Sequence, residues 1–253
     1  MLQLIIFWVG VSLGALVLFR GLRTRVISKY PFFYSFIAGG LALEGLVFYI
    51  GARFPSLYRT FYWSAEFLSL VLACGIVLEI FRHVLSPYPG AERIARVTGI
   101  IAFVAVLCSS GVYPLLARLG SVSGTMEDLE VNVRSVQAIF LFAVLALISY
   151  YRIQIGKNMK GMIVGYGFSI AAALVNLSAY SYAGGRLAAT LGIARQIGYT
   201  VPIAVWAVTL WSYAPNPVDA PVIQLEEDYE HLVVRTRAAM GTMRSYLGRA
   251  VRP

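Results

Sequence analysis

Apolar residues gather into seven long runs along this chain, at 2–19, 30–52, 61–81, 97–117, 135–151, 162–184 and 196–213, with short polar links between them. A helix needs about 20 mostly apolar residues to cross the hydrocarbon core of a bilayer, and each run has close to that length. Five runs contain no charge; the second holds Glu44, and the third holds Glu66 and Glu79. Short links suit helices packed as antiparallel neighbours. The pattern predicts an all-α polytopic membrane protein, a seven-transmembrane-helix bundle over 1–213.

Beyond the last run the pattern changes. The segment 214–223 contains Pro215, Pro217 and Pro221, and proline interrupts helices, so it reads as a linker. Over 224–253 a short cytoplasmic amphipathic helix is expected. Its residues Leu225, Tyr229, Leu232, Thr236, Ala239, Met243 and Tyr246 recur by four and three, a heptad-like stripe. Tyr229, Leu232, Met243 and Tyr246 are its candidates for docking a partner. Acids lead this segment and arginines follow, an order that favours the helix macrodipole.

Composition supports the bilayer. Hydrophobic residues make up 59% and charged residues 13% of 253, too little polar surface to cover a soluble core. The net charge of +9 is spread in short clusters between the runs. It forms no basic face with interleaved aromatics, which argues against nucleic acid as a partner. With the N-terminus outside, the cytoplasmic segments hold 15 Arg or Lys and the outer links hold 6, the bias expected of an N-out, C-in, multi-pass protein of the cytoplasmic (inner) membrane. The basic cluster Arg20, Arg23, Arg25 and Lys29 follows the first run rather than preceding it, so that run reads as a retained helix and not a signal peptide. The longest outer link is expected to carry Glu127, Asp128 and Glu130.

Aromatics mark the headgroup levels, with Tyr30, Phe32, Phe33 and Tyr34 inside and Tyr58, Phe61, Tyr62 and Trp63 outside. Two Gly-x-x-x-Gly spacings, Gly10/Gly14 and Gly161/Gly165, permit close helix approach. Cys74 and Cys108 sit within apolar runs, too few for a disulfide framework and without metal-ligand spacing.

Charged side chains inside a span are costly enough to be functional candidates. At a rise of 1.5 Å per residue, Glu44 and Glu66 lie within roughly 5–8 Å of each other in depth, toward the outer side. With Gln137, Asn176 and Tyr199 they outline a ligand- or ion-binding pocket, which Arg134 and Arg195 could also reach. The alternative is a hydrogen-bonded network that only fixes helix packing. Glu79, Arg82 and His83 share one face of the third helix at i, i+3 and i+4. They form either a conformational latch or an interfacial ion pair with a snorkelling arginine. Pro87 and Pro89 then force an elbow.

Other chemistry is disfavoured. No lysine lies in the last span, as a retinal Schiff base would require, and no histidine lies within the bundle for a haem. No nucleotide, zinc-protease or serine-hydrolase motif is present. A non-enzymatic role without cofactor or metal is therefore expected.

Tyr62-Trp-Ser-Ala-Glu66, Glu79-Ile-Phe-Arg-His-Val84 and Pro87-Tyr-Pro-Gly90 resemble a pattern in uncharacterised bacterial seven-helix membrane proteins. That resemblance implies the same topology and carries no activity. The architecture is also similar to seven-helix sensor modules joined to histidine kinases or cyclases. With about 40 residues after the last run, no such output domain is expected, and a signal is expected to pass to a separate protein. The expected function is a sensor or signal-transducing module, or an accessory subunit of a membrane complex, with a membrane or cytoplasmic protein or a second copy as partner. The alternative is a small proton- or cation-coupled transporter or channel using Glu44 and Glu66.

Overall fold

In a computed structural model, which describes residues 2–112, 122–183, 188–214, 217, 227–236 and 238, the described residues of the seven apolar runs are almost all helical. The helices are α1 (Leu2–Arg23), α2 (Pro31–Arg53), α3 (Pro55–Val84), α4 (Pro89–Val106), α5 (Val122–Tyr150), α6 (Lys157–Ala183) and α7 (Ala188–Thr209). Among the described residues, seven helices are long and apolar enough to cross a membrane. α4 continues into a π-helical turn, Leu107–Val112. A further helical stretch covers 227–236.

Three of the starts have one cause. α2, α3 and α4 each begin with proline at the first helical position, Pro31, Pro55 and Pro89. Its fixed φ suits that position, and its missing N–H would have had no intrahelical partner there. None of these helices has a side-chain cap at the preceding residue, which is Tyr30, Phe54 or Tyr88.

The helices pack as a closed ring in chain order, α1 against α2 and onward to α7, which returns to α1. α3 is the exception: it touches α2 and α4 and also crosses inward to α5 and α6. Its most apolar window is 56% buried, against 17–28% for the other six. α3 is therefore the central post. The outward faces carry large apolar side chains, such as Phe48 (81% exposed) and Phe142 (73%). In a bilayer these face lipid, where their exposure costs nothing.

Glycine sets the closest approach. A Cβ on Gly161 would run into Thr209, and one on Gly165 would run into the Trp206 indole. The Gly161/Gly165 spacing thus does what small-residue pairs do, bringing α6 against α7. Gly10 and Gly14 meet two different helices, Thr200 of α7 and Leu41 of α2.

Three expectations change. Glu127, Asp128 and Glu130 lie on α5, which begins at Val122, and not in a loop. Glu130 and Arg134 pair one turn apart on it, which helps this polar stretch to stay helical. α7 likewise begins at Ala188, ahead of its apolar run. Third, Tyr30, Phe33 and Tyr34 are core residues, 2%, 0% and 0% exposed, and only Phe32 faces outward at 50%. The first turn of α2 is pulled inward against α3 and α7, with the Phe33 ring edge-on to Trp206 at 4.9 Å.

Candidate functional site

The bundle has two unlike ends. One carries the basic links, Arg20 to Lys29 and Arg152 to Lys160, and is called here the basic end; the other is the far end. The far half encloses a cavity of about 1170 Å³. α2 brings Glu44 to it, α3 brings Tyr62, Trp63 and Glu66, α5 brings Glu130 and Arg134, α6 brings Asn176, and α7 brings Arg195, Gln196 and Tyr199. Phe7 of α1 completes the wall.

Four of the five residues expected in a pocket line this cavity: Glu44, Glu66, Asn176 and Tyr199. Gln137 does not. It is wholly buried beneath, with its carbonyl oxygen 3.1 Å from the Tyr166 hydroxyl and its amide 3.5 Å from Cys74 Sγ. The same Tyr166 hydroxyl lies 3.0 Å from the Ala73 carbonyl of α3. Tyr166 is thus the cavity floor, and Gln137 supports it from below. The sequence puts Gln137 at the right depth, but only packing shows that its side chain points toward α3 and α6.

Two ion pairs bridge or brace the wall. Arg195 of α7 reaches Glu66 of α3 at 3.9 Å, and Tyr62 is a further partner of Arg195. Arg134, the other arginine expected near Glu66, instead binds Glu130 at 2.7 Å. Asn176 donates to the Leu191 carbonyl at 3.0 Å and so ties α6 to α7. Two acceptor oxygens at the cavity, Glu44 Oε2 and Gln196 Oε1, are buried without a hydrogen-bond partner. Gln196 escaped notice in the sequence because it stands at the edge of an apolar run with no charge to mark it. Pro202, inside α7, has no N–H for the Gly198 carbonyl, so the helix gives up one ladder bond beside this wall.

The basic end is built differently. Glu79 of α3 points at the start of α2, where its two oxygens accept from the N–H groups of Phe32 at 3.2 Å and Phe33 at 2.9 Å. A carboxylate suits a helix N-terminus, where free N–H groups and the macrodipole both favour negative charge. The expected trio of Glu79, Arg82 and His83 is therefore not an ion-paired set. His83 Nδ1 meets the Glu79 main-chain oxygen at 2.9 Å, and Arg82 is exposed. The carboxylate turns away because α2 offers two donors that its own helix cannot.

Asn158, at the start of α6, was not singled out by sequence. It is fully buried, and its amide donates to the Thr209 and Ser212 carbonyls at 3.2 and 2.9 Å, while its oxygen accepts from Ala214 N–H. It thereby satisfies the frayed end of α7. Arg20 lies over the Trp211 ring, 3.9 Å from its centroid.

No family model, curated protein or solved structure matches this chain. The site's chemistry must therefore be read from its own residues. Among the described residues, no group of three His, Cys, Asp or Glu side chains could hold a metal ion. What the cavity offers is paired charge, unpaired acceptors and aromatic surface, the ingredients of recognition.

Of the tail residues, Tyr229 packs its ring on Gly90, and its neighbour Asp228 accepts from the Tyr151 hydroxyl at 2.9 Å. The start of the tail thus lies against the basic end of the bundle. Leu232 is 65% exposed. Met243 and Tyr246 lie outside the described residues.

Proposed function

We propose that this is a non-enzymatic membrane receptor module, a sensor or the accessory subunit of a complex. It would take a small polar ligand in the far-half cavity and pass the bound state to a separate protein at the basic end. The contrast between the two halves carries this reading. The far half is hollow, with charged and polar groups set into a largely apolar wall. The basic half is a packed core in which Phe33, Tyr34, Ile76, Ile80, Met162 and Trp206 are each 2% exposed or less.

A conducting path needs polar groups or water along its whole length. In the basic half Glu79 and Asn158 are occupied by main-chain partners, and the Tyr34 hydroxyl and Trp206 Nε1, which lack a hydrogen-bond partner, are single groups within an apolar core. A cavity closed on one side suits binding better than passage. The 15-to-6 distribution of basic residues supports placing the basic end in the cytoplasm and the cavity outside. The exposed Leu232 and Val234 leave the tail a face for a partner.

Reconstitution in liposomes tests this. No proton or monovalent-cation flux is expected; a flux abolished by Glu44→Gln would replace the receptor with a transporter. Deleting 224–253 should remove a co-purifying protein partner from mild detergent, and unchanged co-purification would sink the docking role of the tail. Orientation is tested with single cysteines in a cysteine-free background. Ser56→Cys should react with an impermeant maleimide in intact cells, and Ser86→Cys only after lysis.

A further inference from the structure

The lining of the far-half cavity is specific enough to name a class of ligand, given that the cavity is a ligand site at all. Five acids line it, Glu44, Glu66, Glu127, Asp128 and Glu130, against two bases, Arg134 and Arg195. This is the reverse of the whole chain, which has 12 acids and 21 bases. Both arginines are paired, with Glu130 and Glu66. Glu127 and Asp128, both exposed, and the Glu44 carboxyl have no basic partner among the described residues, so the cavity favours positive charge.

The second observation is the pair of unsatisfied acceptors. Glu44 Oε2 on α2 and Gln196 Oε1 on α7 are both buried, both without a partner and both at this cavity. A buried acceptor left empty costs about 1–3 kcal/mol, and what relieves it is a hydrogen-bond donor. The third is a run of aromatic rings on α3. Tyr58 and Tyr62 stack at 6.0 Å, Trp63 stands edge-on to Tyr62 at 5.1 Å, and all three line the cavity. Aromatic faces attract cations and accommodate apolar carbon equally well.

One molecule that carries a donor, a positive charge and an apolar body answers all three features at once. A metal ion has no N–H to donate, and the cavity's 1170 Å³ is far larger than a bare ion needs. We propose that the cavity binds an organic ammonium ion, whose N–H groups meet Glu44 and Gln196 and whose carbon body lies on the Tyr58–Tyr62–Trp63 wall. An ammonium group carries up to three donors and a full charge, which matches two acceptors and a surplus of carboxylates.

Three probes of one shape separate the classes: benzylamine, a cation at neutral pH, benzyl alcohol, neutral, and benzoate, an anion. Binding is measured by equilibrium dialysis against the full chain in nanodiscs, with empty nanodiscs subtracted. Benzylamine should bind about tenfold or more tighter than either other probe, the factor that roughly 1.4 kcal/mol of charge recognition gives. Glu44→Gln and Gln196→Leu should each weaken it by about the same factor without lowering the melting temperature, and Gln196→Leu should raise it because the empty buried acceptor is gone. Equal or tighter binding of benzoate, lost in Arg195→Gln, would overturn the ammonium class while leaving a receptor cavity. Benzylamine binding that survives both acceptor variants, or no saturable benzylamine binding, would also overturn it. The receptor role itself stands or falls separately, on the flux measurement.

Discussion

Glu79 offers the sharpest test of how the basic end is held. Its carboxylate is 4% exposed and accepts two main-chain N–H groups of α2, at 3.2 and 2.9 Å. Glu79→Ala leaves both donors unpaired, the Phe33 N–H buried and the Phe32 N–H part-buried, at about 1–3 kcal/mol each, or roughly 2–6 kcal/mol together. Removing a buried carboxylate also relieves its own desolvation, which favours the lower half of that range, about 3 kcal/mol. For a chain of this size about 1 kcal/mol moves the midpoint by 2–4 °C, so the variant should melt roughly 6–12 °C lower. Glu79→Gln keeps one acceptor and should lose about half as much.

Cys74 supplies the readout. It is 5% exposed on α3, beside Gln137, and reacts with a thiol-activated fluorophore only when the bundle opens. Cys108→Ser removes the exposed second thiol. Arg82→Ala is the control, because Arg82 is exposed and forms no ion pair with Glu79 among the described residues. If Arg82→Ala lowered the midpoint as much as Glu79→Ala, the intrahelical ion pair would be the real support and the inter-helix cap would be refuted. A Glu79→Ala midpoint within about 1 °C of the parent would refute it equally, being less than half a kcal/mol.

Further outcomes follow from the same contacts. Gly165→Ala drives a methyl into Trp206, which is itself fixed against Phe33, and should destabilise by about 1–3 kcal/mol in the same melt. Gly45→Ala is its control, since nothing lies within 4 Å of the new methyl; there the better helix propensity should stabilise by up to about 1 kcal/mol. Asn158→Ala strands the Thr209 and Ser212 carbonyls and the Ala214 N–H. It should cost about 2–4 kcal/mol and speed proteolysis near 214, whereas cleavage unchanged from the parent would show that the amide does not hold this end. Tyr166→Phe removes the hydroxyl facing both Gln137 and Ala73 and should lower the melt by about 1–2 kcal/mol, with Gln137→Ala not additive to it.

Some of this was legible along the chain. The acids at 44 and 66 could be placed at one level by counting residues, and the structure sets both at one cavity. Asn176 and Tyr199 followed from the same count. Arg195 was correctly placed within reach of Glu66, whereas Arg134 found a nearer carboxylate one turn back on its own helix. Residues 122–134 read as a loop because hydropathy locates lipid-facing length, and a polar helix end beyond the bilayer core has no such signature.

The sequence by itself determined the number of helices and the charge asymmetry between the two ends. Both depend on sums over many residues, the transfer free energy of whole runs and the count of bases in the links, and such sums survive ignorance of any single contact. Tertiary structure alone decided which way each side chain points. Glu79 looks like an intrahelical partner for Arg82 until α2 presents two N–H groups to it. Gln137 looks like a pocket residue until Tyr166 closes over it. Asn158 and Gln196 have no linear signal at all, because their roles depend on neighbours from α7 and on a cavity formed by helices distant in sequence. Depth is a property of one helix; direction is a property of the bundle.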